Sequence, residues 1–210
     1  KNYEGSGGFP VESLVRKALL AARFKTLKIL FSQDINNESR VLMYRNITER
    51  VLKIAPFLRL DSDPYLVVTE GKMKWLYDAY TVSDRFPYSQ TIPRFGNYVR
   101  NSVKVVIDAY DGSMDFFISD PSDPIIQTWR KVFPELFKEL NEMSEDLRKH
   151  IRYPSDLFTI QAFIYATYHM KAPQVFYNKE DLWEIPEIDN KMMEPYYTIM
   201  KLPGNEAEEY

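Results

Sequence analysis

The sequence predicts an α+β fold: an antiparallel sheet built from two hairpins, with helices packed against it. Apolar residues alternate with period two on both sides of Glu70-Gly71-Lys72, and again on both sides of Asp111-Gly112, where glycine supplies the positive φ of a turn. Helical periodicity precedes the first hairpin and follows the second. Strands grouped in one block, with helices on either side, are the segregated pattern of α+β domains.

Residues 1–10 are glycine-rich and polar and are expected to be poorly ordered; residues 11–210 are expected to form a single α+β domain. Residues 11–56 read as helical. Val11, Leu14, Val15, Ala18, Leu19 and Ala22 recur at helical spacing toward Phe31, giving a helix of up to about 30 Å. Its other face carries Arg16, Lys17, Arg23, Lys25 and Lys28 against Glu12. A second amphipathic helix is predicted from Ser39 to Ile54, where Pro56 ends it.

The hairpins follow at 65–80 and 103–118. Between them, Asp84 to Asn97 holds Pro87, Pro93 and Gly96 among aromatics and reads as an ordered loop. Residues 123–184 return to helix. Asp123 is the N-cap and Pro124 the first helical residue of a segment that buries Ile125, Ile126, Trp129 and Phe133, with Pro134 interrupting it. From Ser155 to Met170 the apolar residues fall on two sides, Leu157, Ile160 and Ile164 on one and Phe158, Ala162 and Tyr165 on the other. Such a helix is either deeply packed or shared with a partner. Residues 196–202 alternate weakly and are expected to add an edge strand.

Composition bounds the chemistry. At 210 residues and 45% hydrophobic content, the chain can bury roughly 70% of its unfolded surface around one core. A net charge of −3 gives no overall attraction to nucleic acid, and zero cysteines exclude disulfides, thiolate catalysis and Cys-ligated metals. No run of about 18 uncharged apolar residues is present to make a transmembrane helix. The phosphate-loop, dinucleotide-glycine, zinc-protease and G-x-S-x-G patterns are absent. The chain is expected to be a piece of a longer polypeptide, since it ends at Tyr210 just after an apolar run, with Glu206, Glu208 and Glu209 crowded there.

Candidate sites come from pairing and from surface composition. A two-residue turn at Asp111-Gly112 places Ala109 across from Met114, Ile107 from Phe116 and Val105 from Ile118, and on the opposite face sets Asp108 across from Asp115. Opposed like charges destabilise a sheet, so a neutralising group is expected. Calcium held by Asp108, Asp111 and Asp115 is one reading; a Lys or Arg from a neighbouring element, or solvent, is the other. The same two carboxylates would serve an envelope-directed hydrolase if 5 to 9.5 Å or so apart in a cleft. Arg16, Arg23, Lys25 and Lys28 form a membrane or partner surface, suited to anionic lipid headgroups, or else a solvated face. Tyr80, Phe86, Tyr88, Phe95 and Tyr98 form an aromatic loop surface for a peptide or glycan, or else pack the loop onto the sheet. His150 and His169 each stand near a helix end without a carboxylate at a recognised spacing.

A series of motifs resembles the bacterial uncharacterised protein family 0182. They are Asn97-Tyr98-Val99-Arg100-Asn101-Ser102-Val103-Lys104, Asp108-Ala109-Tyr110-Asp111-Gly112, Asp120-Pro121 with Asp123-Pro124-Ile125-Ile126, and Val132-Phe133-Pro134. Further along come Leu147-Arg148, His150-Ile151-Arg152-Tyr153-Pro154, Asp156-Leu157-Phe158, Phe176-Tyr177-Asn178, Trp183-Glu184-Ile185-Pro186 and Pro195-Tyr196-Tyr197. The resemblance implies a large multi-pass protein of the bacterial cell membrane, with this chain in its soluble, extracytoplasmic half. It assigns no catalytic residue and no cofactor. The implied partners are the membrane domain of the same polypeptide and lipid headgroups or another envelope component.

Overall fold

The computed structural model describes residues 3–36, 38–201, 203 and 204. In chain order the elements are β1 (Phe9–Pro10), α1 (Leu14–Phe24), α2 (Lys28–Phe31), β2 (Arg40–Val41), α3 (Ile47–Ile54), β3 (Arg59–Leu60), β4 (Tyr65–Thr69), β5 (Lys72–Ser83), β6 (Tyr98–Asp108) and β7 (Met114–Ile118). There follow α4 (Pro124–Val132), β8 (Phe137–Glu139), α5 (Glu145–Arg148), α6 (Ser155–Tyr168), α7 (Pro173–Asn178), β9 (Glu187–Ile188) and β10 (Lys191–Met192).

A six-stranded sheet runs β3-β5-β6-β7-β8, with β4 also paired to β5. Its neighbours are antiparallel except β7 and β8, which are parallel. The expected sheet of two hairpins is therefore present, with two short strands added. Phe137–Glu139 lies within the span predicted as helical, and at three residues it is too short to show alternation in sequence.

Both faces of the sheet are covered. Val103, Val105, Ile107, Phe116 and Ile118 pack with Val51 of α3, with Ala55 just past its end and with Ile126 of α4. On the reverse, Leu76, Val106 and Phe117 pack with Met143 and Leu147, and Tyr80 packs with Phe95 and with Ile160 of α6. Six consecutive residues are buried in each of β5 and β6.

Several boundaries differ from the sequence reading. The single helix expected over Val11–Phe31 breaks at Lys25, whose φ of 51° caps α1 in the left-handed region, and Thr26 N–H bonds back to Ala21 O. Neither glycine nor proline marks this break. The helix expected from Ser39 begins at Ile47, because Asn46 accepts a hydrogen bond from Glu49 N–H; Arg40–Val41 pairs instead with β1. From residue 3, the segment expected to be poorly ordered has fixed partners: Arg40 donates to the carbonyls of Ser6, Gly7 and Gly8, and Glu4 N–H donates to the Tyr110 hydroxyl. Residues 196–199 form no strand, and Leu202 lies outside the described residues. The strands found in this region are β9 and β10, joined by Asp189 and Asn190, both at positive φ.

A polar hub joins α4 to the sheet. In β6, Asn101 and Ser102 together oppose Tyr80, an irregularity in the pairing that turns Ser102 toward Thr81 of β5. Both hydroxyls donate to Asp123 Oδ2, while the Tyr98 hydroxyl (2.7 Å) and Ile125 N–H (3.0 Å) donate to Oδ1. Asp123 is 1% exposed. Burial pushes its carboxyl up, but the hydrogen bonds from Ser102, Thr81, Tyr98 and Ile125 N–H outweigh that and hold it below the usual carboxylate range.

The folded chain thus binds fewer protons here than the unfolded one. The contribution is complete above an unfolded carboxylate value of about 3.9 and is lost as pH falls through the lower native value. Asp123→Ala, which removes the cap and takes the acceptor from the buried Thr81 and Ser102 hydroxyls and the half-buried Tyr98 hydroxyl, lowers the unfolding free energy by about 3–5 kcal/mol in urea titrations. Asp123→Asn shows a shallower loss of melting temperature in acid than the parent; an unchanged acid slope contradicts this role.

Candidate functional site

A broad concavity lies along α6. Its inward side places Leu157, Ile160 and Ile164 against the Tyr80–Phe95 cluster, while its other side presents Phe158, Ala162 and Tyr165 to a groove of about 700 Å³. The far wall is a strap, residues 183–196, contributing Trp183, Met192, Met193 and Tyr196. Polar side chains are few: Thr159, Glu184, Lys191 and Glu194.

The strap is held at both ends. Trp183 N–H donates to Ala166 O, and its ring stacks 4.1 Å from that of His169. Beyond the groove, Tyr197 donates to Tyr153 O at 2.6 Å and lies against the Arg152 guanidinium, which also covers the Tyr65 ring. Burial pushes the Tyr197 phenol up to about 12, so it remains a donor at neutral pH. Between its anchors the strap spans an apolar trough rather than filling it.

The start of α6 is locked to the sheet edge by acids. Asp61 accepts from the Tyr80 hydroxyl and from the N–H groups of Asp63 and Asp156, while Asp156 accepts from Ser62 N–H and Oγ. Nearby, the buried pair Asp78 and Lys104 bridges β5 and β6; burial pushes the Asp78 carboxyl up, and the Lys104 ammonium opposes it. Asp61, Asp78 and Asp123, the buried acids described, are each engaged by partners from a neighbouring element. That arrangement ties neighbouring elements together.

The expected carboxylate site is not assembled. Asp115 stands across from Val106, not Asp108, and Asp108 stands across from Lys74. The hairpin closes at Asp108 and Ser113 because the Asp108 carboxylate accepts from Tyr110 and Asp111 N–H, turning the chain before the predicted two-residue loop. Register moves by two residues, so Val105, Ile107, Phe116 and Ile118 keep their shared face. Asp115 pairs with Lys138 of β8 at 2.6 Å, the neighbouring-strand cation of the alternative reading. Asp111 accepts from Ser113 N–H and Ser6, and Arg50 donates to Gly112 O at 2.7 Å, placing a guanidinium on the turn. Among the described residues, no three His, Cys, Asp or Glu side chains are placed to hold a metal. The paired-carboxylate hydrolase loses its only proposed pair.

The aromatic loop is also dispersed. Tyr80 and Phe95 are buried edge to face, Tyr98 is committed to Asp123, and Phe86 stacks on Tyr98, which leaves Tyr88 fully exposed on its own. His150 Nδ1 is 2.8 Å from Asp146 O, and His169 Nδ1 is 3.0 Å from Tyr165 O. His169 Nε2 comes within 3.5 Å of Asp181 without a hydrogen bond, behind Trp183 and outside the groove. Arg16 and Arg23 lie on α1, with Lys25 at its end and Lys28 opening α2. The groove had one sequence signal, the two-sided apolar pattern of α6; its strap wall had none beyond the motif Trp183-Glu184-Ile185-Pro186.

Fold and surface define an α+β domain with an open apolar groove, in which no described helix is long and apolar enough to cross a membrane. The chain belongs to the Uncharacterised protein family (UPF0182), whose model matches residues 1–210. It is 62% identical to a UPF0182 protein of Pelobacter propionicus, 60% to one of Geotalea uraniireducens and 57% to one of Geobacter sulfurreducens, each over 99% of this chain. It spans 23% of the length of each of these curated relatives. No solved structure matches it.

With Asp108, Asp111 and Asp115 tied to separate partners, millimolar calcium leaves the melting temperature unchanged. A calcium-dependent rise that disappears in Asp111→Asn restores the cation at this turn.

Proposed function

We propose that this chain is an extracytoplasmic docking domain of a bacterial multi-pass membrane protein, seated through the α6 groove against the membrane-spanning part of its own polypeptide. The carrying observation is the division of α6 into a packed side and an uncovered one. Phe158, Tyr165 and Tyr168 are each more than half exposed and border the concavities along α6, a helix whose other side is core. Isolated apolar residues on a surface are ordinary, but aromatics gathered on one helix beside a groove of this size mark an interaction surface.

The energetics suit a tethered contact. Covering half of an aromatic ring contributes about 1 kcal/mol, so Phe158, Tyr165 and Tyr168 supply about 3 kcal/mol. Set against the cost of association, that is too little to hold two separate molecules together. Within one polypeptide the tether supplies a millimolar effective concentration, which favours the same contact over the free state of separate chains. The relatives provide the tether, since this chain covers 23% of their length. Buried acids locked into packing and the dispersed carboxylates support docking over hydrolysis.

A photo-crosslinking residue at Tyr165 in the full-length protein, in native membranes, captures peptide from outside these 210 residues. Adducts confined to this chain, or none at all, contradict docking through α6.

A further inference from the structure

The first helix presents the wrong face to solvent. Leu14, Val15, Ala18, Leu19 and Ala22, the residues that helical spacing marks as a core face, are all exposed, with Leu14 at 77% and Leu19 at 66%. At 100° or so per residue they form one continuous arc of about 140°. Leu20 and Ala21 are the buried residues of α1, and Lys17 reaches the other way to donate to Ile35 O at 3.0 Å. Past the Lys25 break, Leu27 and Phe31 are exposed as well, at 66% and 79%. A second apolar surface therefore exists, on different elements from the groove.

Its charge is as distinctive as its hydrophobicity. Between Glu12 and Phe31 stand five cations, Arg16, Lys17, Arg23, Lys25 and Lys28, and the single acid Glu12, in a chain of net charge −3. Arg16 and Arg23 fall along one edge of the apolar arc. Among the described ion pairs, Arg16 with Glu12 at 3.9 Å is the one that uses any of these cations. An apolar strip bordered by cations, about 16 Å long in α1, matches a bilayer interface, where acyl chains meet anionic headgroups.

We propose that α1 and α2 form a membrane-surface element that lies flat on an anionic bilayer, inserting Leu14, Val15, Leu19, Leu27 and Phe31 below the headgroups while Arg16, Arg23, Lys25 and Lys28 pair with lipid phosphates. Charge complementarity selects this occupant over a second copy of the chain. An antiparallel two-fold contact through the same strip brings Arg16 of each copy against Arg23 of the other, and like charges across an interface oppose association. The inference rests on α1 and α2 alone and does not require docking through α6.

The test is flotation of the 210-residue chain with vesicles of phosphatidylglycerol and phosphatidylcholine, compared with phosphatidylcholine alone, at low and high salt. The chain floats with the anionic vesicles, and added salt weakens the association. Arg23→Glu weakens it by at least about fivefold, the scale of one cation near a charged surface, and Leu19→Glu by roughly tenfold or more. Both sites are exposed, and circular dichroism confirms that the variants are folded. A fluorophore on Leu19→Cys, unique in a cysteine-free chain, shifts to the blue on binding. Failure to float at low salt overturns the proposal, as does flotation unaffected by either variant. So does dimerisation in gel filtration that Leu19→Glu abolishes without any vesicle binding. Because the vesicles contain no other part of the polypeptide, these outcomes are independent of the α6 contact.

Discussion

The central strands of this domain have no free face. Helices or ordered loops lie on both sides of β5 and β6, so every polar side chain along their buried stretch must find a partner within the protein. Thr81, Ser102 and Tyr98 find Asp123; Lys104 finds Asp78; Tyr80 finds Asp61. Each link crosses between elements distant in sequence, so the polar groups set the angle at which α4 and α6 meet the sheet. Hydrophobic burial drives collapse in any such core, but it is non-directional. The acids provide the direction, because a carboxylate supplied with too few donors is costly to bury.

The described buried acids accept from neighbouring strands, hydroxyls and helix N–H groups. What the core leaves over is apolar and lies on two helices. Packing consumes one side of α6 and leaves the other beside a trough; in α1 it takes Leu20 and Ala21 and leaves the longer apolar arc outside. The chain spans 23% of the length of its curated relatives.

The sequence showed most where one residue fixes geometry locally. Asp123-Pro124 announced the start of α4, Gly71 the first turn, and the faces of β6 and β7 survived an error in register because the slip was two residues. It showed least where a tertiary contact decides. Nothing local reveals that Asp108 will turn the chain early by capturing two backbone N–H groups, that Lys25 will take a left-handed conformation, or that Phe137–Glu139 will join β7. The candidate sites divide in the same way. The cations of α1 were legible, and so were both sides of α6. The outward turn of the α1 apolar face was not, because helical spacing shows that a face exists without showing where it points.

In the docking proposal, the uncovered side of α6 is an interface within a longer polypeptide. Amide hydrogen exchange over residues 155–168 and 183–196 measures this most directly, comparing the 210-residue chain with the full-length protein in membranes. The account predicts slower exchange across both segments in the full-length protein, while the β5 and β6 amides, already buried, stay as they are. Equal exchange in the two forms contradicts it.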